Sequence, residues 1–132
     1  MYSFKFTVFT PTYNRATTLR RVFESLLHQE FRDFEWLIID DGSSDDTCAV
    51  IEEFIKESSF KINYYYQENS HKFLTLLKAA QLACGEFFYS IDSDDEIFPF
   101  TLKVLNETWE SIPLEYRHQY SGVTGLCVDQ FG

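Results

Sequence analysis

The sequence predicts an α/β fold, a three-layer and mostly parallel sheet with its functional groups collected along one edge. Three observations carry that prediction. Apolar runs of strand length alternate with stretches of helical periodicity, the rhythm of βαβ units joined by right-handed crossovers. Two of the runs, 35–39 and 86–91, stop abruptly in acid clusters, Asp40–Asp46 and Asp92–Glu96, as strands of such sheets do where ligands bind at their carboxyl ends. The length of 132 residues, 45% of them hydrophobic, suffices for one domain with a real core.

Each element has its own signal. The first strand is read over 4–9 and ends at Thr10-Pro11-Thr12-Tyr13-Asn14-Arg15, because Pro11 cannot donate to a ladder and Asn14 suits a turn. Leu19, Val22, Phe23, Leu26 and Leu27 then make one helical stripe over about 17–29, with Thr17 or Thr18 as N-cap. The run 35–39 is almost wholly apolar, as suits a strand buried on both faces. Asp45 or Asp46 caps a second helix with Val50, Ile51, Phe54 and Ile55 on one face. A third strand follows at 61–66, its tyrosines 64–66 read as covered on both sides. A polar loop over 67–72 leads to a third helix, its stripe Phe73, Leu76, Leu77 and Ala80, closed by Gly85 as a left-handed C-cap. The strand 86–91 is read as central. Pro99 opens a fourth helix bearing Leu102, Leu105, Trp109 and Ile112, Pro113 stops it, and 123–128 is a further strand.

Composition excludes several classes. With 11 basic against 21 acidic residues the formal charge is −10, the wrong sign for a nucleic-acid backbone. Cys48, Cys84 and Cys127 are odd in number and lack metal-ligand spacing, so they are read as reduced, mostly buried thiols of a cytoplasmic protein. No leader precedes residue 4, and no apolar run approaches the roughly 20 residues that span a bilayer. Neither Gly-x-Gly-x-x-Gly nor Gly-x-x-x-x-Gly-Lys occurs, so no Gly-rich cradle holds a phosphate.

The cluster Asp92-Ser93-Asp94-Asp95-Glu96 carries the chemistry. Like charges about 4 Å apart repel by roughly 4 kcal/mol at an effective dielectric of about 20, so these acids must be solvated, protonated or neutralised by a cation. Oxygen ligands alone favour a hard ion, Mg²⁺ or Mn²⁺. The bland alternative is a solvated turn that caps the helix after Pro99. An EF-hand loop is excluded, because Ile97 and Lys103 stand where its Gly and bidentate acid belong. A carboxylate-held metal is a natural clamp for a diphosphate, which points to a nucleoside-diphosphate donor.

Thr10-Pro11-Thr12-Tyr13-Asn14-Arg15, the segment Glu35 through Thr47 with its Asp-Asp-Gly-Ser turn, and Asp92-Ser93-Asp94-Asp95 as an Asp-x-Asp motif together resemble the family-2 glycosyltransferases of the GT-A fold. The resemblance covers nearly the whole chain. It implies that Pro11, Thr12 and Tyr13 and the carboxylate of Asp41 hold the nucleobase, with Asp40 a supporting acid and Arg15 and Ser93 also on the donor. Lys72 lies in a loop similar to the family's Asn-x-Gly-Lys segment, with Ser70 and His71 as departures, and would sit near base or phosphates. Asp92 would contact ribose or metal. Asp94 would be the principal ligand of Mn²⁺ or Mg²⁺, with Asp95 in that place if the turn is set one residue later. Arg15 and Lys72 as solvated surface residues, and Tyr13 as a packing aromatic, remain open beside these roles.

The implied activity is inverting, metal-dependent transfer from a nucleotide sugar, UDP-linked by family habit, to a saccharide or lipid-linked acceptor. The implied setting is bacterial surface-polysaccharide assembly at the cytoplasmic face of the membrane. In the family the general base lies after the Asp-x-Asp strand, so it is expected beyond Gly132 and the chain is read as a donor half, with an apolar flank at 123–128 prone to self-association. Two other readings are a nucleotide-sugar-binding module without catalysis and a receiver-like Mg²⁺-binding phosphoacceptor domain. Against the receiver, the first strand ends in Thr10-Pro11 rather than an acidic pair, and no Lys ends the strand around Leu126.

Overall fold

The alternating runs resolve, in a computed structural model that describes residues 1–129, into β1 (Phe4–Thr12), α1 (Leu19–Leu27), β2 (Phe34–Asp40), α2 (Thr47–Glu57), β3 (Lys61–Tyr66), α3 (Lys72–Leu82), β4 (Gly85–Ser90), α4 (Thr101–Glu110) and α5 (Leu114–Arg117). All pairings are parallel, in the order β3-β2-β1-β4. The direction of strand addition reverses between β1 and β4, the switch point at which open α/β sheets leave a crevice beyond their carboxyl ends. A receiver places β1 between β2 and β3, whereas here β1 lies between β2 and β4, so that reading is excluded.

The core is lopsided. One face of the sheet presents Phe6, Val8, Trp36, Ile38 and Ile62 to Leu19, Val22, Phe23 and Leu26 of α1, Ile51 and Phe54 of α2 and Leu102 of α4. Phe23 stacks on Phe54 with centroids 4.3 Å apart. The opposite face buries only Phe9, Leu37 and Ile39 beneath Ala79, with Leu82 alongside. Polar residues share it. Glu35, 1% exposed, accepts from the Thr7 hydroxyl (2.6 Å), the Asn63 amide (2.7 Å) and the Cys84 N–H (2.7 Å), which offsets the cost of a buried carboxylate.

Several expectations are corrected. β1 runs on through Pro11 to Thr12. Asp41 N–H bonds the Thr12 carbonyl and Ile91 N–H the Phe9 carbonyl, so even-numbered residues of β1 turn to β2 and odd-numbered ones to β4; Pro11 lacks a donor only on the side that β4 has left. Gly85 is no left-handed cap but the first residue of β4, where a Cβ would lie 2.2 Å from the Thr7 nitrogen. α3 is rotated from its expected stripe: Phe73 (68% exposed), Leu76, Leu77 and Ala80 face outward, and Thr75 and Ala79 are buried. Small Ala79 admits the helix to the sheet, and Thr75 accepts a hydrogen bond from Gln67.

β4 is an edge strand among the described residues, alternately half-buried and exposed, rather than a central one. Tyr65 and Tyr66 of the other edge strand, β3, are exposed. Residues 123–128 form no strand; Gly122 and Gly125, each with open space at the Cβ position, weaken the run, and Ser121–Val123 lie beside β4 over a groove of about 360 Å³ against Phe87, Leu105 and Trp109. Pro99 precedes α4, and Pro113 ends one helix but starts the short α5. The three cysteines are exposed rather than buried. Among the described residues no helix is long and apolar enough to cross a membrane.

Candidate functional site

Because the strands are parallel, the loops after β1, β2, β3 and β4 emerge at one edge. The first two are knitted together. Asn14 sits at φ 50°, its side-chain carbonyl accepts from Ser44 N–H (2.8 Å) and Asp45 N–H (3.3 Å), and its own N–H donates to the Ser43 hydroxyl (2.8 Å). Arg15 N–H reaches the Thr47 hydroxyl (3.1 Å), and Ala16 N–H reaches Asp45 (3.2 Å). Pro11 to Arg15 and the Asp-Asp-Gly-Ser turn are therefore one structural unit.

The adjacent aspartates divide the labour. Asp40 is fully buried, and its carboxylate accepts from Ser43 N–H (2.8 Å) and the Tyr64 hydroxyl (2.9 Å). Burial, then the bond to Asp40, push the Tyr64 phenol well above its usual range, so it stays a donor. Asp41 faces α3. Gln67 Nε2 (2.8 Å), Ser70 N–H (2.8 Å) and the Ser70 hydroxyl (3.1 Å) all donate to its Oδ1. Burial alone would raise its pKa, but the donors Gln67 and Ser70, helped by His71, outweigh it and hold the carboxyl below its usual value. Among the described residues Oδ2 accepts nothing. At the end of β1 the buried Thr12 hydroxyl oxygen has no partner among the described residues; Thr12 pairs with Asp40 in register and so lies on the face of the sheet opposite Asp41.

The acidic turn lies across the crevice, after β4. Ile91 N–H still bonds β1, Ser93 is buried, and Asp95 N–H closes the turn onto the Asp92 carbonyl (3.2 Å). Arg21 of α1 donates to the Asp94 carbonyl (3.3 Å), and Gln29 holds the descending chain through the Phe98 carbonyl (2.8 Å) and Leu102 N–H (3.2 Å). Burial, then repulsion from Asp94 and Asp92, raise the Asp95 carboxyl, with Arg21 easing it. No ion pair neutralises Asp92, Asp94 or Asp95, and no three His, Cys, Asp or Glu side chains converge into a metal centre, among the described residues.

Tyr13, half-exposed at the edge, and the exposed Arg15 and Lys72 make no side-chain hydrogen bond or ion pair within the described residues, so they are available to a ligand. Sequence reasoning missed Gln67, Arg21 and Gln29. Gln67 was within reach of the same rule that found the acids: it is the first residue after β3, at the same sheet edge. Arg21 and Gln29 bond carbonyls of a distant loop and carry no sequence signal.

Comparison with known proteins agrees with this geometry. Residues 7–116 match the family model described as glycosyl transferase family 2. A GalNAc(5)-diNAcBac-PP-undecaprenol beta-1,3-glucosyltransferase of Campylobacter jejuni is 35% identical over 126 residues, 94% of this chain and 38% of that protein. The crystal structure of Staphylococcus aureus TarS 1-349 in complex with UDP-GlcNAc superposes with TM-score 0.69 at 31% identity, over 80% of this chain and 30% of that one. Mannosyltransferase PcManGT of Pyrobaculum calidifontis, in complex with GDP-Man and Mn2+, superposes with TM-score 0.76 at 23% identity, over 86% of this chain and 34% of that one, and supports the fold. The chain thus spans about a third of the length of these proteins, and its sheet is of the GT-A type anticipated from the three motifs. It belongs to glycosyl transferase family 2.

Proposed function

We propose that this chain forms the donor side of a glycosyltransferase site, receiving a UDP-sugar for transfer with inversion to a saccharide or lipid-linked hydroxyl in bacterial surface-polysaccharide assembly at the cytoplasmic membrane face. The observation that carries the reading is the half-occupied carboxylate of Asp41. A carboxylate with one oxygen saturated and the other open, at a sheet edge, suits a base that presents a ring N–H, as uracil does. The similarity to TarS, which binds UDP-GlcNAc and UDP, supports the same nucleotide. Pro11, Thr12 and Tyr13 would line the base with Asp41, and Arg15, Lys72 and Ser93 would meet the rest of the donor.

The acidic turn fits Mn²⁺ or Mg²⁺. Its carboxylates are unpaired and crowd one another, and a site short of three converging acids suits an ion that completes its shell with phosphate oxygens and water. Asp94 would hold it with Asp92 and Asp95 on either side, and the bound ion would supply positive charge for the diphosphate. No residue of this chain is assigned as general base; its proposed place is after Gly132. Calorimetry of UDP with and without Mn²⁺ tests the reading. Mn²⁺ should tighten UDP binding, and Asp94→Asn should remove the gain; equal affinities in all four titrations overturn it.

A further inference from the structure

We infer that Gln67, clamped by Lys78, is a positioning residue that makes Asp41 select a base with an imide N–H over one with a bare ring nitrogen. The inference rests on Asp41 as the base acceptor of the proposed donor site and adds what enforces its choice. Gln67 Nε2 donates to Asp41 Oδ1 (2.8 Å) and also meets the hydroxyls of Ser70 (2.6 Å) and Thr75 (2.9 Å). Its Oε1 accepts from Lys78 Nζ at 3.2 Å. An ammonium can only donate, so Lys78 fixes which end of the amide is oxygen and thereby aims the NH₂ at Asp41. The Gln67 backbone N–H is itself tied to the Asp40 carbonyl at 2.9 Å, which sets the side chain's origin.

The consequence concerns the free oxygen. With Oδ1 occupied by Gln67 and Ser70, Asp41 can neither rotate nor share a proton with a neighbour, and Oδ2 remains a fixed anionic acceptor. Uracil presents N3–H to such an oxygen. Cytosine presents a bare N3, and two acceptors then face each other. A carboxylate at position 67 would reverse the logic: it could still receive Lys78, but against Asp41 the two acids would share a proton, and a protonated Asp41 can donate to cytosine N3.

The readout is the ratio of CDP to UDP dissociation constants, measured by calorimetry at one Mn²⁺ concentration, since the two share every phosphate contact. The unaltered chain should prefer UDP by about tenfold or more, the size of one good base-edge contact. Gln67→Glu should bring the ratio close to one, Lys78→Met should lower it in part, and Lys78→Arg should restore it. A merely structural role would weaken UDP and CDP by one common factor and leave the ratio where it was. An unchanged ratio in Gln67→Glu overturns the inference; if that variant does not fold, an unchanged ratio in Lys78→Met does. A chain that binds UDP and CDP equally, or whose preference survives Asp41→Asn, instead overturns the placement of the base at Asp41.

Discussion

On the α1–α2–α4 side of the sheet, the rings of Phe23, Trp36 and Phe54 meet with centroids 4.3 to 6.2 Å apart. On the α3 side, at similar depth, the buried residues include Thr7 and Glu35, joined by a hydrogen bond of 2.6 Å, and Thr75, which Gln67 links to Asp41 through bonds of 2.9 and 2.8 Å. The first side tolerates small rearrangements because dispersion and burial have no direction. The second tolerates few, because each lost partner leaves a desolvated polar atom behind. Asp41 is anchored on the directional side, where a fixed carboxylate can be built.

The contrast can be broken by mutation, most sharply at the apolar side. Phe54→Ala should cost about 4 kcal/mol in denaturant unfolding, as large aromatic truncations do. Glu35→Ala should follow at about 3 kcal/mol despite removing less apolar area, since it orphans the Asn63 amide and the Cys84 N–H. A Glu35 cost below that of an exposed substitution would mean that the polar side is filler.

On α3 the two helix faces should separate cleanly. Ala79→Leu overpacks the contact with Phe9, Leu37 and Ile39 and should cost about 2 kcal/mol. Leu77→Ser, at a larger apolar residue but an exposed one, should change stability by no more than about 0.5 kcal/mol. The opposite ranking in thermal melts would restore the stripe that periodicity suggests.

The smallest effect is a pH dependence. Asp41 has a folded pKa below its ordinary 3.8, so the stability it contributes is fully present above that value and fades as pH falls through the lower folded one. The stability difference between the unaltered chain and Asp41→Asn should be flat near neutrality and shrink only in acid. A difference that persists unchanged at the lowest pH at which both fold would show that the hydrogen bonds do not favour the charged form.

Legibility followed the same divide. Where burial is apolar the spacing mostly told the truth: Leu19, Val22, Phe23 and Leu26 are buried as α1's stripe predicts, and Ile51 and Phe54 as α2's does, although Ile55 of that stripe is exposed. Where burial is polar it misled, because Thr75 and Ala79 pack inward for hydrogen bonding and close approach while the bulkier Phe73 and Leu77 stay outside. Gly85 looked like a helix cap in sequence, since nothing local reveals that Thr7, 78 residues away, will lie against it. Strand ends were readable as sites, which brought Asp40, Asp41 and the 92–95 turn to one edge. The division of work between Asp40 and Asp41 was not, for it depends on Tyr64 and Gln67, which only folding brings near.

Pro11 acts as a stop on a zipper. The seam between β1 and β4 closes as far as Ile91 N–H on the Phe9 carbonyl, and the next rung of a parallel ladder would need a Pro11 N–H for the Ile91 carbonyl. That rung cannot form. The chain after Ser90 therefore leaves its neighbour and enters the acidic turn, while on the other side β1 stays paired with β2 through Thr12. One missing hydrogen atom thus ends the β1–β4 seam at the switch point while the β1–β2 seam runs on beside it.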